Sequence, residues 1–181
     1  TITVDPPHIT YTSTGITGAG ATGESYGNEV AFMPDGGTVH VGSFTGLIDA
    51  HPAEGSNYGL PSNGGNDIYV IRLDANGDFV WARSMGGTGD DVARGVDTDS
   101  AGNIYIGGDF YSTGMDFDPT VGVDTHSSLA FTDVFITKLT SAGAYGWTRT
   151  FGSLNTGDNG FDIAVSSAGV VYITGRFRDK S

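Results

Sequence analysis

Asp67 to Asp91 reads DIYVIRLDANGDFVWARSMGGTGDD. Two apolar, β-rich segments, Ile68 to Leu73 and Phe79 to Met85, are joined by an Asn76-Gly77 turn and followed by a glycine-rich acidic loop. Such alternation around an Asn-Gly pair predicts a β-hairpin. The construction returns 66 residues later as Asp133 to Asn159, DVFITKLTSAGAYGWTRTFGSLNTGDN. Trp81 then matches Trp147, Arg83 matches Arg149, Arg72 matches Lys138 and Phe79 matches Tyr145. The chain is therefore a repeat before it is anything else.

Upstream of each hairpin lies another. Val39 to Phe44, Ile104 to Phe110 and Val171 to Phe177 are three versions of one strand, each entered from a turn ending in glycine: Gly37, Gly102 and Gly169. Before those turns run Val30 to Met33, Val92 to Thr98 and Phe161 to Val165. At the N-terminus, Thr1 to Asp5 and Ile9 to Thr14 match strands three and four, with Pro6-Pro7-His8 as the turn and Tyr11 at the tryptophan position. Four strands form one unit of about 66 residues, and the chain holds 2 + 4 + 4 + 2 of them, about three units' worth.

Composition agrees with that reading. Thirty glycines in 181 residues oppose helix and suit tight turns. A net charge of −13 with only eight basic residues excludes a nucleic-acid partner, since phosphate binding needs clustered Lys and Arg. The one basic cluster is Arg176, Arg178 and Lys180. Cysteine is absent, which removes disulfides and thiolate metal sites. No run approaches the roughly 18 apolar residues of a spanning helix, so membrane insertion is not expected. A start at Thr1 without Met suggests a mature or excised piece.

Four-stranded antiparallel units in tandem, with an aromatic at a fixed outer position, predict an all-β fold: a β-propeller segment. Its divisions are an outer half-blade over 1–23, blades over 24–89 and 90–157, and an inner half-blade over 158–181. The strings SNGGNDIYVIRLDANGDFVWARSMGGTGDD and DSAGNIYIGGDF, followed by MDFDP, resemble the bacterial β-propeller repeat family known as SBBP repeats. The resemblance covers essentially the whole chain and is strongest from Ser62 to Pro119. It implies a secreted or surface-exposed bacterial protein, often large, in which the repeat serves as scaffold or binding module with no defined reaction. The chain departs from the pattern in having too few blades for a closed ring and in Pro6-Pro7 at the first turn. The missing blades are expected from the rest of a longer chain or from head-to-tail self-association. Protein or glycan ligands are the expected partners, at an extracellular or cell-surface location.

Several motifs invite chemistry. Gly18 to Gly23 spells the dinucleotide fingerprint and Gly23-Glu24-Ser25-Tyr26-Gly27 the serine-hydrolase elbow, but both require a helix to follow, and GNEVAF reads as a strand. The repeats share Thr-Gly-acid as Thr22-Gly23-Glu24, Thr88-Gly89-Asp90 and Thr156-Gly157-Asp158. That pattern either accepts amide hydrogen bonds in a tight turn or forms a carboxylate ring for a cation. Asp74, Asn76 and Asp78 begin like a calcium loop, but Phe79 and Met85 occupy the positions needing glycine and glutamate. Asp49-Ala50-His51-Pro52 aligns with Asp116-Phe117-Asp118-Pro119 between strands two and three. These four polar residues are the candidate ligand set, with Ca²⁺ as the candidate ion at Asp116, Asp118, Glu24, Asp90 and Asp158; a structural Asp turn before proline is the alternative. His51 with Asp49 and Glu54 is a weaker zinc set. His8, His40 and His126 stand alone, and no catalytic set assembles from sequence neighbours. Non-enzymatic recognition is the expected function. The alternatives are a calcium-stabilised adhesion repeat and a hydrolase or lyase whose channel site draws on several blades. The loops that vary between copies, Thr45 to Gly65 and Tyr111 to Leu129, are the expected carriers of specificity.

Overall fold

A computed structural model describes residues 22–51, 58–129, 131–154 and 156–178. The expected N-terminal strands, Pro6-Pro7, His8, most of the Gly18 to Gly23 string, Glu54 and Lys180 lie outside the described residues. No helix occurs among those described. The elements are β1 (Ser25–Phe32), β2 (Thr38–Phe44), β3 (Leu47–Asp49), β4 (Gly59–Pro61), β5 (Asp67–Leu73), β6 (Phe79–Met85) and β7 (Asp91–Thr98). They continue as β8 (Ile104–Phe110), β9 (Met115–Asp116), β10 (Thr125–His126), β11 (Asp133–Leu139), β12 (Tyr145–Phe151), β13 (Asn159–Val165) and β14 (Val171–Arg176).

Two four-stranded antiparallel sheets form, in the orders β1-β2-β5-β6 and β7-β8-β11-β12, and β13-β14 repeats the first hairpin of each. Each sheet is an up-and-down meander, as the four-strand unit predicts. The alternating segments owe their double-sided apolar character to their position. On β5, Ile68 and Val70 enter a core shared with Ala93, Val96, Ile104 and Ile106 of the second sheet. Tyr69 and Ile71, on the other face, pack with Phe44, Ile48 and Leu60. A third core joins Tyr105 and Ile136 of the second sheet to Ile163 of the terminal hairpin.

The register of the three copies is internally consistent. The first strand of each carries a bulge at the same place, between Gly27 and Glu29, Ala93 and Gly95, and Gly160 and Asp162. Opposite each bulge sits a glycine of the second strand. A Cβ on Gly42, Gly108 or Gly175 would lie 1.9, 2.0 or 2.3 Å from the carbonyl oxygen of Tyr26, Val92 or Asn159. The bulge and this glycine form one device, which lets the inner strand bend close to its neighbour.

Two sequence expectations need correction. The turns of the first hairpins place the left-handed residue at Gly36, Gly102 and Gly169, so Gly36, not Gly37, is the equivalent in the first copy. Gly37 is excluded from carrying a side chain for another reason, its contact with Arg72 and the Leu73 carbonyl. Thr-Gly-acid also does not mark one structural position. The amides of Asp91 and Asp158 both donate across the step, to the carbonyls of Asn66 and Thr132, so Asp158 stands where Asp91 does and not where Asp90 does.

The DANGD turn is explained by hydrogen bonding alone. Asp74 Oδ1 accepts the amides of Asn76 at 2.8 Å and Asp78 at 2.9 Å. Those bonds hold the Asp74 carboxyl below the usual range. Asp99 does the same for Ala101 and Asn103, and the hydroxyls of Thr140 and Ser166 accept from Ala144 and Val170 in the matching turns. A turn that closes equally with Asp, Thr or Ser is a backbone-capping device.

Candidate functional site

The connection between strands two and three leaves and re-enters each sheet at paired residues: Phe44 is opposite Asp67, and Phe110 is opposite Asp133. In each copy it folds into a short two-stranded ribbon, β3-β4 or β9-β10. Strands of two or three residues leave no alternation to read, which is why the sequence showed only a long loop. Each ribbon is anchored by apolar residues beneath it. Ile48 and Ala50 anchor the first, and Met115 and Phe117 the second, where Phe117 meets the rings of Phe110 and Phe135 at 5.3 Å.

The D-x-(D or H)-P residues close these ribbons. Asp49 Oδ1 accepts the amides of His51 at 3.0 Å and Tyr58 at 2.9 Å, and Asp116 Oδ1 accepts those of Asp118 at 3.0 Å and Asp124 at 2.9 Å. Asp118 in turn accepts the Thr120 amide at 2.9 Å. The carboxylates thus spend an oxygen each on the loop itself. Asp49 with His51, and Asp116 with Asp118, sit on separate ribbons. Glu24 accepts the Tyr26 hydroxyl, Asp90 accepts both nitrogens of Asn66, and Asp158 accepts the Arg178 amide. Among the described residues no three His, Asp or Glu side chains gather closely enough to hold a metal ion.

What the ribbons bring together is different in each copy. On the first sheet His51 stacks on Phe79 with ring centroids 4.4 Å apart, and Tyr58 tilts against the same ring at 5.3 Å. Arg83, beside them, reaches the Tyr58 hydroxyl at 3.5 Å. On the second sheet the Phe79 position is Tyr145, whose hydroxyl donates to Asp124, and Asp124 lies 3.2 Å from His126. The Tyr145 hydroxyl holds the Asp124 carboxyl below the usual range, with His126 adding to the effect. Burial first and Asp124 second push the Tyr145 phenol up to about 12. One copy presents an aromatic patch, the other a hydrogen-bonded Asp-His-Tyr cluster. Sequence reasoning located the loops but missed Tyr58, Phe79, Asp124 and Tyr145, because Tyr58 and Asp124 sit at the far ends of insertions with no shared pattern.

The elbow serine, Ser25, opens strand β1, so the strand-to-helix turn of a hydrolase is not formed there. The titrating groups lie elsewhere. Asp67 and Asp133, both essentially buried, open the third strand of each sheet. Oδ2 of each accepts the amide four residues back, from Asn63 at 2.7 Å and Leu129 at 3.0 Å, and Oδ1 of each has no hydrogen-bond partner among the described residues. Glycine is required opposite, since a Cβ on Gly86 or Gly152 would fall 2.2 or 2.0 Å from the carboxyl carbon. Burial pushes Asp67 up to about 7, against the Asn63 amide and aided by Asp91. Asp133 and Asp91 are raised for the same leading reason.

This has a measurable consequence. Between the ordinary value of 3.8 and about 7, folded Asp67 keeps a proton that the unfolded chain has released, so its contribution to stability falls as pH rises through that window. Asp67→Asn is expected to leave stability unchanged near pH 4 and to raise it by about 1–3 kcal/mol near pH 8. Urea midpoints at the two pH values check this; equal effects of the substitution at both would refute the assignment.

No family model matches the chain. Regulatory protein FlaEY of Caulobacter vibrioides is 28% identical over 118 residues, which cover 65% of this chain and 12% of that protein. An uncharacterised WD repeat-containing protein of Acanthamoeba polyphaga mimivirus is 26% identical over 97 residues, 49% of this chain and 7% of that protein. The matched region is thus a small part of both relatives.

Proposed function

We propose that the chain is a β-propeller segment and acts as a non-enzymatic binding module of a secreted or surface-exposed bacterial protein, with the inserted ribbons as its recognition surface. Support for the propeller comes from two register positions. Val96 is 5% exposed and Ile163 is 5% exposed, each covered by the sheet before it, while Val30 at the matching place is 50% exposed. At the other end, Tyr105 is 4% exposed and its counterpart Tyr172 is 59% exposed. Both ends of the array carry the same faces that its interior buries. WD repeats, named in one relative, are propeller blades, and the SBBP resemblance points the same way.

Among the described residues β14 has no strand on its outer side, and such an edge invites pairing. We assign its partner to further repeats of a longer polypeptide. Head-to-tail pairing of two copies is the alternative, and a folded monomer in light scattering excludes it.

The single observation behind the binding reading is the contrast between a strictly repeated scaffold and two ribbons that present different chemistry at one address. Conserving the frame while changing the insert is how loop-borne recognition is built. The intact chain is expected to give saturable binding on protein or glycan arrays. Asp116→Ala, which removes the partly buried acceptor of two amides that close β9-β10, or Tyr58→Ala on the first ribbon, is expected to weaken that binding at least about tenfold while far-ultraviolet circular dichroism stays unchanged. Binding indifferent to both substitutions removes the ribbons from the role, and turnover of any arrayed substrate overturns the non-enzymatic reading.

A further inference from the structure

On a chain with net charge −13, one groove has no carboxylate among its described lining residues. It lies between the second sheet and the β13-β14 hairpin, is open to solvent with a volume of about 370 Å³, and is bounded by Tyr111, Phe131, Thr132, Asn159, Arg176 and Arg178. Tyr111 and Phe131 are 51% and 54% exposed, and both arginines are exposed.

The repeat shows that the Arg176 side chain is not there for the frame. Arg176 pairs with Asn159 in the register position where Asp109 pairs with Val92. In the second sheet that position is neutralised: Arg94 Nε lies 2.9 Å from Asp109 Oδ1. In the hairpin the acid has become Arg176 and the base has become Phe161, so the charge is inverted and its partner removed. Among the described residues no ion pair involves Arg176 or Arg178. Arg176 ends β14 and Arg178 follows two residues on, and both line the groove.

The preceding step between sheets is filled by other residues. There Gly65 lies where Phe131 lies here, and a Cβ on it would meet the Asp90 carboxylate at 2.5 Å. Asn66 donates twice to that same carboxylate. In the second step the position of Asp90 is Gly157, so the acid that fills the first step is missing from the second.

We propose that this groove binds a carboxylate-bearing sugar. The guanidinium groups of Arg176 and Arg178 take the carboxylate, for which their forked donors are suited. The Tyr111 and Phe131 rings bear on the apolar face of the pyranose, and Thr132 and Asn159 serve its hydroxyls. The volume, at the small end for ligand sites, has room for one or two sugar units. The inference rests on the binding-module reading, but on a place outside its ribbons.

The test is calorimetry on the intact chain with a galacturonate trisaccharide, its methyl ester and hexaglutamate. Saturable binding of the acid is expected, at least about tenfold weaker for the ester, and about tenfold weaker again for the acid on Arg176→Gln or Arg178→Gln. Tyr111→Ala is expected to weaken the acid and the ester alike. Circular dichroism and thermal midpoints of the arginine variants, exposed in the folded chain, should match the parent. Equal affinity for acid and ester, no binding of the acid, or tighter binding of hexaglutamate each overturns the proposal. Binding that survives both arginine variants but is lost in Tyr58→Ala overturns the groove and leaves the ribbon reading standing.

Discussion

Trp81→Ala is expected to destabilise the folded chain by about 3–5 kcal/mol, the range for truncating a buried large aromatic. Trp81 is 7% exposed, and its indole nitrogen donates to the Ser141 carbonyl at 3.1 Å. Gly143, in the same turn, is pressed so close that a Cβ would sit 3.0 Å from the ring. Arg83 adds a bond to the Gly143 carbonyl at 3.3 Å while its guanidinium lies 5.4 Å from the Trp81 ring. The side chain therefore fastens the outer edge of the first sheet to the last turn of the second. Trp147 is the same residue one unit on, with Arg149 at 5.5 Å from its ring, but only a half-buried one, since no further outer turn lies beside it among the described residues. Trp147→Ala is expected to cost about half as much or less, because the cost follows the area covered. Urea denaturation of the pair decides it. Equal costs would mean that the tryptophan stabilises its own sheet and that the sheets are not fastened through it.

Gly108→Ala should cost about 3 kcal/mol or prevent folding, because the new methyl would stand 2.0 Å from the Val92 carbonyl, and backbone cannot step aside as a side chain can. Gly77 makes the contrast. Its φ is +86°, but an added Cβ meets nothing within 4 Å, so Gly77→Ala carries only the left-handed penalty of about 1 kcal/mol. If the two substitutions cost the same on chemical denaturation, the close approach at the bulge is not what selects glycine.

Most of the scaffold was legible in the sequence, because its strands obey a period of two and recur at a fixed spacing. Ile104 to Phe110 forms strand β8 with the bounds its alternation predicts, and the Asn76-Gly77 turn is where the hairpin reverses. Boundaries blurred where two glycines or two acids adjoin. Gly36 and Gly37, and Asp90 and Asp91, are indistinguishable as letters, yet one of each pair has the special backbone or the burial and the other does not. The candidate site was legible only as an address. Asp49 and Asp116 were singled out as ligands, and the structure adds that Oδ1 of each accepts two amides of its own ribbon. Asp67 and Asp133 drew no notice, since an acid opening a strand reads as a solvent-facing boundary. Only packing reveals that it is enclosed beside the glycine opposite, Gly86 or Gly152.

The paired exits of each insertion carry a further consequence. Because Phe44 faces Asp67 and Phe110 faces Asp133 across a ladder, the chain between them begins and ends at one spot. Lengthening such an excursion moves nothing in the sheet and adds only about 0.6 kcal/mol for each doubling of its length. Each insertion is therefore a closed cassette, free to lengthen at its tip while its own apolar plug, Ile48 and Ala50 or Met115 and Phe117, and its acid, Asp49 or Asp116, hold its base.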